Sequence, residues 1–344
     1  MFKFYSPKVG LALGGGGARG LAHIGVLKVL QREGIPIYAV AGTSMGAIVG
    51  GAFALRPDAE QLAQQAIDLL QDKRLLNLDK VSVRSIPKKR RLAVKRLISF
   101  IKELYLINLE ATKKWLVDGE KIKALLELVV EEKSFSDLCL PYLAVVTDLR
   151  TGEEIWLKEG KLSDAFLASS AIPGIFPPLE KDNWLLVDGG VTSLVPVDAA
   201  HSLGVDLVIG VNVEGEIYRR DFPHGIDILY QADDIRGHEL TKLKLARADL
   251  VIRPHLNGIN WSHFTKVQLC IEKGEKATYE ALPLIREKLK AKRRRLIWQK
   301  LVHRKGGKNS YTFKVKPNSN NSPRTTTDWP RKSRVRNSQH KPHS

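Results

Sequence analysis

Residues 9–46, VGLALGGGGARGLAHIGVLKVLQREGIPIYAVAGTSMG, constrain the chain more than any other stretch. Val9 to Leu13 is an apolar run long enough for one buried strand, and Gly14 to Gly17 follow it. From Leu21 the apolar residues change to helical spacing, with Leu21, Ile24, Leu27 and Leu30 on one face. Gly34 and Pro36 close that helix, and Ile37 to Ala41 form a second apolar run. Strand, glycine turn, helix and strand in that order make a βαβ unit, and with it a parallel sheet covered by helices.

The second run ends in Gly42-Thr43-Ser44-Met45-Gly46, which fits G-x-S-x-G. That pentapeptide is expected by chance roughly 0.1 times in a chain of this composition, so its surroundings decide its meaning. Here a strand enters the turn and a small-residue helix start (Ala47, Gly50, Gly51, Ala52) leaves it. Such a turn holds a serine hydroxyl clear of the backbone, and Gly42 and Gly46, lacking Cβ, let strand and helix approach closely. The glycine loop lies one βα unit earlier, on the adjacent strand end, where N–H groups at a helix N-terminus can hold an oxyanion. A serine beside an anion site points to acyl transfer; the plainer alternative is a pair of tight βα turns.

The same glycines also fit the dinucleotide pattern G-x-G-x-x-G, through Gly15, Gly17 and Gly20. That pattern wants a carboxylate at the end of the second strand to take ribose hydroxyls. The second strand here ends in Ala41-Gly42-Thr43-Ser44, so a nucleotide cofactor is disfavoured. Arg19, inside the loop, suits either a phosphate or a brace for the loop itself.

With 344 residues, 43% of them hydrophobic, the chain can build a sizeable core in one large or two modest domains. Cys139 and Cys270 are too few for a disulfide framework or a zinc cluster, which fits a reducing compartment. MFKFYSPKVG lacks the apolar stretch of a signal peptide, and no window reaches about 18 uninterrupted apolar residues. The expectation is a cytoplasmic protein, at most peripheral at the inner face of the membrane. The net charge of +18 is localised: residues 304–344 hold eleven Lys or Arg against Asp328 alone, and residues 84–102 hold eight with no acid. The remainder is near neutral, so two basic appendages are expected to meet an anionic surface, either a membrane leaflet or nucleic acid.

Beyond the elbow helix (44–56), residues 59–72 read as a helix. Residues 86–107 form a basic amphipathic stretch with Ala93, Leu97, Phe100, Ile101 and Leu104 on one face, suited to a membrane interface or to packing on the core. A helix at 119–132 ends this helical, partly basic insertion, which spans about 58–133. Strands are expected at 142–148, 154–157, 185–187, 207–213 and 250–253, with helices at 163–170 and 272–300. The proline-rich loop 171–178 has the rigidity of a pocket wall. This layout predicts an α/β fold with a mainly parallel sheet and helices on both faces. Residues 1–303 read as one domain, and 304–344, rich in Asn, Ser, Pro and Arg, as a disordered basic tail.

Leu185 to Val187 run into Asp188-Gly189-Gly190, a carboxylate at a strand end with two glycines that leave it accessible. A free serine hydroxyl is a poor nucleophile at neutral pH and needs a base. His23 and His201 sit on expected helices without motif context, so a direct Ser44–Asp188 dyad is the economical reading.

Taken in order, GGGGARG (14–20), GTSMG (42–46) and DGG (188–190), together with TDLRTGE (147–153) and ASSAIPGIFPPL (168–179), resemble the patatin-like phospholipase family, in its bacterial branch related to neuropathy target esterase. The resemblance extends over about residues 8–280. It implies a three-layer α/β/α fold and a Ser–Asp dyad, with no cofactor, metal or histidine in catalysis. It also implies hydrolysis of lipid acyl esters, of the phospholipase A or lysophospholipase type. Carried over by motif, Ser44 is the nucleophile and Asp188 the base. Gly15, Gly16 and Gly17 form the oxyanion hole, Arg19 supports the loop, and Gly42, Gly46, Gly189 and Gly190 shape the turns. One departure stands out. Where family members often read D-G-G-x-x-N-P, this chain has Asp188-Gly189-Gly190-Val191-Thr192-Ser193-Leu194, so the packing behind Asp188 is expected to differ.

The implied partner is a lipid or phospholipid substrate, with peripheral contact to an anionic membrane through residues 86–107 and the basic tail. The competing expectation is a non-enzymatic membrane- or nucleic-acid-binding protein that uses the tail on an α/β scaffold. The core carries no recognisable nucleic-acid module, which disfavours nucleic acid. A Ser-His-Asp hydrolase of another fold is a further alternative, opposed by the lack of a motif histidine after Asp188.

Overall fold

The computed structural model describes residues 6–71, 126–127, 129–217, 221–305 and 324–325. The strands in chain order are β1 (Val9–Leu13), β2 (Ile37–Thr43), β3 (Tyr142–Asp148), β4 (Glu154–Leu157), β5 (Leu179–Lys181), β6 (Trp184–Asp188), β7 (Leu207–Val211), β8 (Leu250–Ile252) and β9 (Arg324–Thr325). The helices are α1 (Ala22–Arg32), α2 (Met45–Leu55), α3 (Ala59–Gln71), α4 (Leu162–Ser169), α5 (Gly190–Ser193), α6 (Val197–Ser202), α7 (Gly225–Leu245) and α8 (Val267–Lys305).

All described strands belong to one sheet, ordered β5-β6-β3-β2-β1-β7-β8, with β4 beside β3 and β9 beside β4. The pairs β3–β2, β2–β1, β1–β7 and β7–β8 are parallel, whereas β4 and β6 both run antiparallel to β3. Alternation along the strands sends side chains to two faces. Leu11, Leu13, Val40 and Val146 join Ile24 and Leu27 of α1, Phe53 of α2 and Ile271 of α8. Ala12, Ala41, Leu143 and Val145 join Val197, Ala199 and Ala200 of α6 and Leu245 of α7. The result is the expected α/β/α layering around a mostly parallel sheet. Fully burying each of these Leu, Ile or Phe side chains stabilises the fold by about 1.5–3 kcal/mol, so the glycine loop and the elbow stand on a firm base.

One detail of register matters more than the rest. Thr43, the last residue of β2, pairs with Val145 of β3, and Asp188, the last residue of β6, pairs with the next residue, Val146. β4 overlaps both partners along β3, from Ala144 to Thr147, so β2 and β6 share the opposite edge. They run toward each other along it and their C-terminal ends meet.

The apolar runs give strand positions to within about two residues at β3, β4, β7 and β8. One long element lacks a counterpart in the sequence reading. α7 carries apolar and charged residues on all sides, without a clear stripe, although His224 and Asp227 form a capping box at its start. The predicted helix at 272–300 is the middle of the longer α8. The basic stretch 86–107, most of the predicted helix 119–132, and most of the tail 304–344 lie outside the described residues. Among the described residues, no helix is long and apolar enough to cross a membrane.

Candidate active site

β2 delivers Ser44 into a turn between Thr43 and the first residue of α2. Ser44 has φ 54° and ψ −123°, a conformation that non-glycine residues hold only where the surroundings over-determine it. The flanking glycines explain how the turn closes. A Cβ on Gly42 would collide with the Gly46 carbonyl, and one on Gly46 with the Leu13 carbonyl of β1. The G-x-S-x-G spacing is therefore a packing requirement of this corner.

Ser44 and Asp188 are both buried, each 7% exposed, and the Ser44 hydroxyl lies close enough to the Asp188 carboxylate to lower its pKa. The Gly190 N–H also donates to Asp188 Oδ1, at 2.7 Å. Burial pushes the Asp188 carboxyl up to about 6, against the lowering effect of the bonds from Gly190 and Ser44. Gly189 permits the close approach: a Cβ there would strike the carbonyl of Val145, the β3 residue that faces the end of β2. Behind the aspartate, the Val191-Thr192-Ser193-Leu194 segment ties the site together through main chain and side chain, with Thr192 Oγ1 2.8 Å from Thr147 Oγ1. Its Ser193 carbonyl accepts from Thr43 Oγ1 at 2.8 Å, and its Leu194 carbonyl accepts from the Gly15 N–H at 2.9 Å.

Ser169, at the end of α4, is a participant the motif reading passed over. Its fully buried hydroxyl accepts the Ser44 N–H at 2.9 Å and donates to the Val145 carbonyl at 2.7 Å. It lies in the ASSAIPGIFPPL stretch, which was singled out in sequence only as a block.

The glycine loop enters the 3-10 turn Gly17–Leu21 and lies against the elbow, with Gly15 beside the Ser44 side chain. Its amides are not equivalent. Gly14 donates to Val211 at 3.0 Å and Gly15 to Leu194, so both N–H groups are spent on holding the loop. Gly16 and Gly17 have no such partners among the described residues and are partly exposed. The N–H of Arg19 donates to the Gly16 carbonyl at 3.2 Å, and its guanidinium fills the space that a side chain on Gly215 would need. His23 is buried beneath the loop, with Nε2 2.7 Å from the Gly14 carbonyl. Burial drives its pKa down to about 4, so at neutral pH the ring is uncharged and its Nε2–H donates to that carbonyl. His201 likewise bonds a carbonyl, that of Arg247, at 3.1 Å. Neither ring is hydrogen-bonded to Ser44.

The family model described as patatin-like phospholipase matches residues 11–201. An uncharacterized NTE family protein of Mycobacterium tuberculosis is 36% identical over 210 residues, 61% of this chain and 50% of that protein. Patatin-like phospholipase domain-containing protein 6 of Homo sapiens is 32% identical over 207 residues, 60% of this chain and 13% of that protein. The match thus spans about half the length of the mycobacterial relative and less of the human one. Among solved structures, VipD from Legionella pneumophila aligns over 81% of this chain and 67% of its own, with 14% identity and a TM-score of 0.41.

Proposed function

Because the chain belongs to the patatin-like phospholipase family, whose domain implies a lipid acyl hydrolase, we propose that it cleaves acyl esters of phospholipids or lysophospholipids through a Ser44–Asp188 dyad. The observation that carries this reading is the Ser44 hydroxyl set beside a buried, under-bonded Asp188 carboxylate at a strained strand-to-helix turn.

Asp188 takes the Ser44 proton as Oγ attacks the ester carbonyl, and the carbonyl π electrons move onto oxygen. The amides of Gly16 and Gly17 are the loop donors left to receive that oxyanion, since the Gly15 N–H is engaged with Leu194. Collapse of the intermediate expels the alcohol, which leaves with the proton held by Asp188. Water then gives a proton to the same carboxylate, attacks the acyl-serine and frees the fatty acid, and the proton returns to Ser44 Oγ. A carboxyl near 6 suits both halves: it is largely ionised at neutral pH, yet basic enough to accept a proton in the transition state.

The test is fluorophosphonate labelling together with fatty-acid release from phosphatidylcholine and lysophosphatidylcholine, for wild type, Ser44→Ala and Asp188→Asn. Labelling and release should be abolished in the first variant and drop by about 10²–10⁴-fold in the second. A folded wild type that neither labels nor releases fatty acid would count against an enzyme and favour a binding role.

A further inference from the structure

The ladder of β2 stops at Thr43, so the N–H of Ser44 leaves the sheet as a buried donor. A buried amide must find a partner, and here it is the hydroxyl of Ser169, 125 residues further along the chain. That hydroxyl has one proton, which goes to the Val145 carbonyl; its lone pairs are then what meets the Ser44 amide. The direction of both bonds is therefore fixed. Val145 is also the residue that pairs with Thr43 at the end of β2, and its carbonyl is the surface against which Gly189 packs. The two strand ends that carry Ser44 and Asp188 thus abut one carbonyl, and Ser169 ties the first of them to it.

We propose that Ser169 is a positioning residue: its hydroxyl clamps the Ser44 backbone amide to β3 and thereby holds the positive-φ turn that aims the Ser44 hydroxyl at Asp188. This rests on the reading of Ser44 and Asp188 as the catalytic pair. Without the clamp, a buried N–H loses its acceptor, so the turn relaxes toward whatever satisfies it. The Ser44 hydroxyl then loses its register with Asp188. A misplacement of about 1 Å costs catalysis on the order of 10²-fold.

The experiment uses Ser169→Ala in the full chain, with fluorophosphonate labelling rate and ester hydrolysis followed across pH. The expected result is a labelling rate and kcat lower by about 10–100-fold with KM within about twofold, because substrate binding is untouched. A second expected result separates positioning from plain structural support. The Ser44 hydroxyl is one of the two groups that hold the Asp188 carboxyl down, so its displacement shifts the acid limb of the rate profile upward from about 6. Ser163→Ala removes another buried hydroxyl from α4 and should leave rate and limb unchanged. If Ser169→Ala does not fold, Ser169→Cys, which keeps a weak donor and acceptor of similar size, should show the same upward shift with a smaller loss. A folded Ser169→Ala with wild-type rate and limb overturns the clamp alone. A wild type inert to the probe overturns the catalytic pair and the clamp with it.

Discussion

Two aspartates sit two positions apart on the same antiparallel strand pair, Asp148 opposite Leu186 and Asp188 opposite Val146. Both are buried at strand ends, and both would be raised by burial alone. They diverge in their donors. Asp148 accepts the N–H of Leu185 at 3.0 Å, the N–H of Arg150 at 3.3 Å and the Thr151 hydroxyl at 2.8 Å. Against the burial that pushes it up, these bonds hold its carboxyl below the ordinary value. Among the described residues, Asp188 has the Gly190 N–H and the Ser44 hydroxyl beside it and no other donor, and burial wins. One carboxylate closes a turn and is finished with; the other is left short of partners, next to a hydroxyl that can give it a proton. The number of donors, together with how deeply the carboxylate itself is set, separates a structural aspartate from a candidate base.

Exchanging each for asparagine should break this pair apart in opposite ways. The largest effect expected is on chemistry: Asp188→Asn lowers turnover by about 10²–10⁴-fold, whereas folded Asp148→Asn keeps a rate near wild type. Hydrolysis per labelled active site measures both, and comparable losses in the two variants would erase the distinction. The next effect is on stability. Asp148 titrates lower in the folded than in the unfolded chain, so its contribution is present above the ordinary pKa of 3.8 and lost as pH falls through the folded value. An amide in its place turns the acceptor facing Thr151 into a donor, so Asp148→Asn should cost about 1–3 kcal/mol at pH 7 in urea unfolding.

The contrast also shows where sequence reading reaches its limit. β1, the elbow and β3 are legible because short apolar runs bounded by glycine or proline leave few choices, and G-x-S-x-G and D-G-G single out Ser44 and Asp188 as candidates. Nothing local says that β6 runs antiparallel and meets β2 head-on along β3; that follows from register, which only the assembled sheet defines. The Ser169 clamp and the Gly15–Leu194 bond connect residues more than a hundred positions apart, so neither leaves a periodic or motif signal. The segment that departs from D-G-G-x-x-N-P contributes carbonyls to Thr43 and Gly15 and a side-chain bond between Thr192 and Thr147, partners that no local pattern names. α7 leaves no periodic trace because its apolar residues are spread around the helix.

A smaller effect sharpens the comparison through pH. If ionised Asp188 is the base, kcat/KM should fall about tenfold per pH unit below about 6 and be flat above it. A limb near 4 would mean that the carboxyl is better solvated than its surroundings imply.

The subtlest test sets Asp188 against His23. Asp188 binds its proton near 6 when folded but near 3.8 when unfolded, so its ionised form opposes folding at pH 8 and that cost disappears as pH falls through 6 toward 4. His23 does the reverse. It titrates near 4 when folded and 6.5 when unfolded, so its contribution is whole above 6.5 and drains away on acidification to 4. Between about 6 and 4 the two proton balances offset, and wild-type stability should change little from these groups. Asp188→Asn removes one side of that balance. The variant should be more stable than wild type at pH 8, lose stability more steeply between 6 and 4 by up to about 1.4 kcal/mol per pH unit, and converge with wild type below 4. Urea midpoints for both proteins at several pH values decide it. Parallel curves would mean that Asp188 carries no burial cost, which would return it to the same kind of aspartate as Asp148.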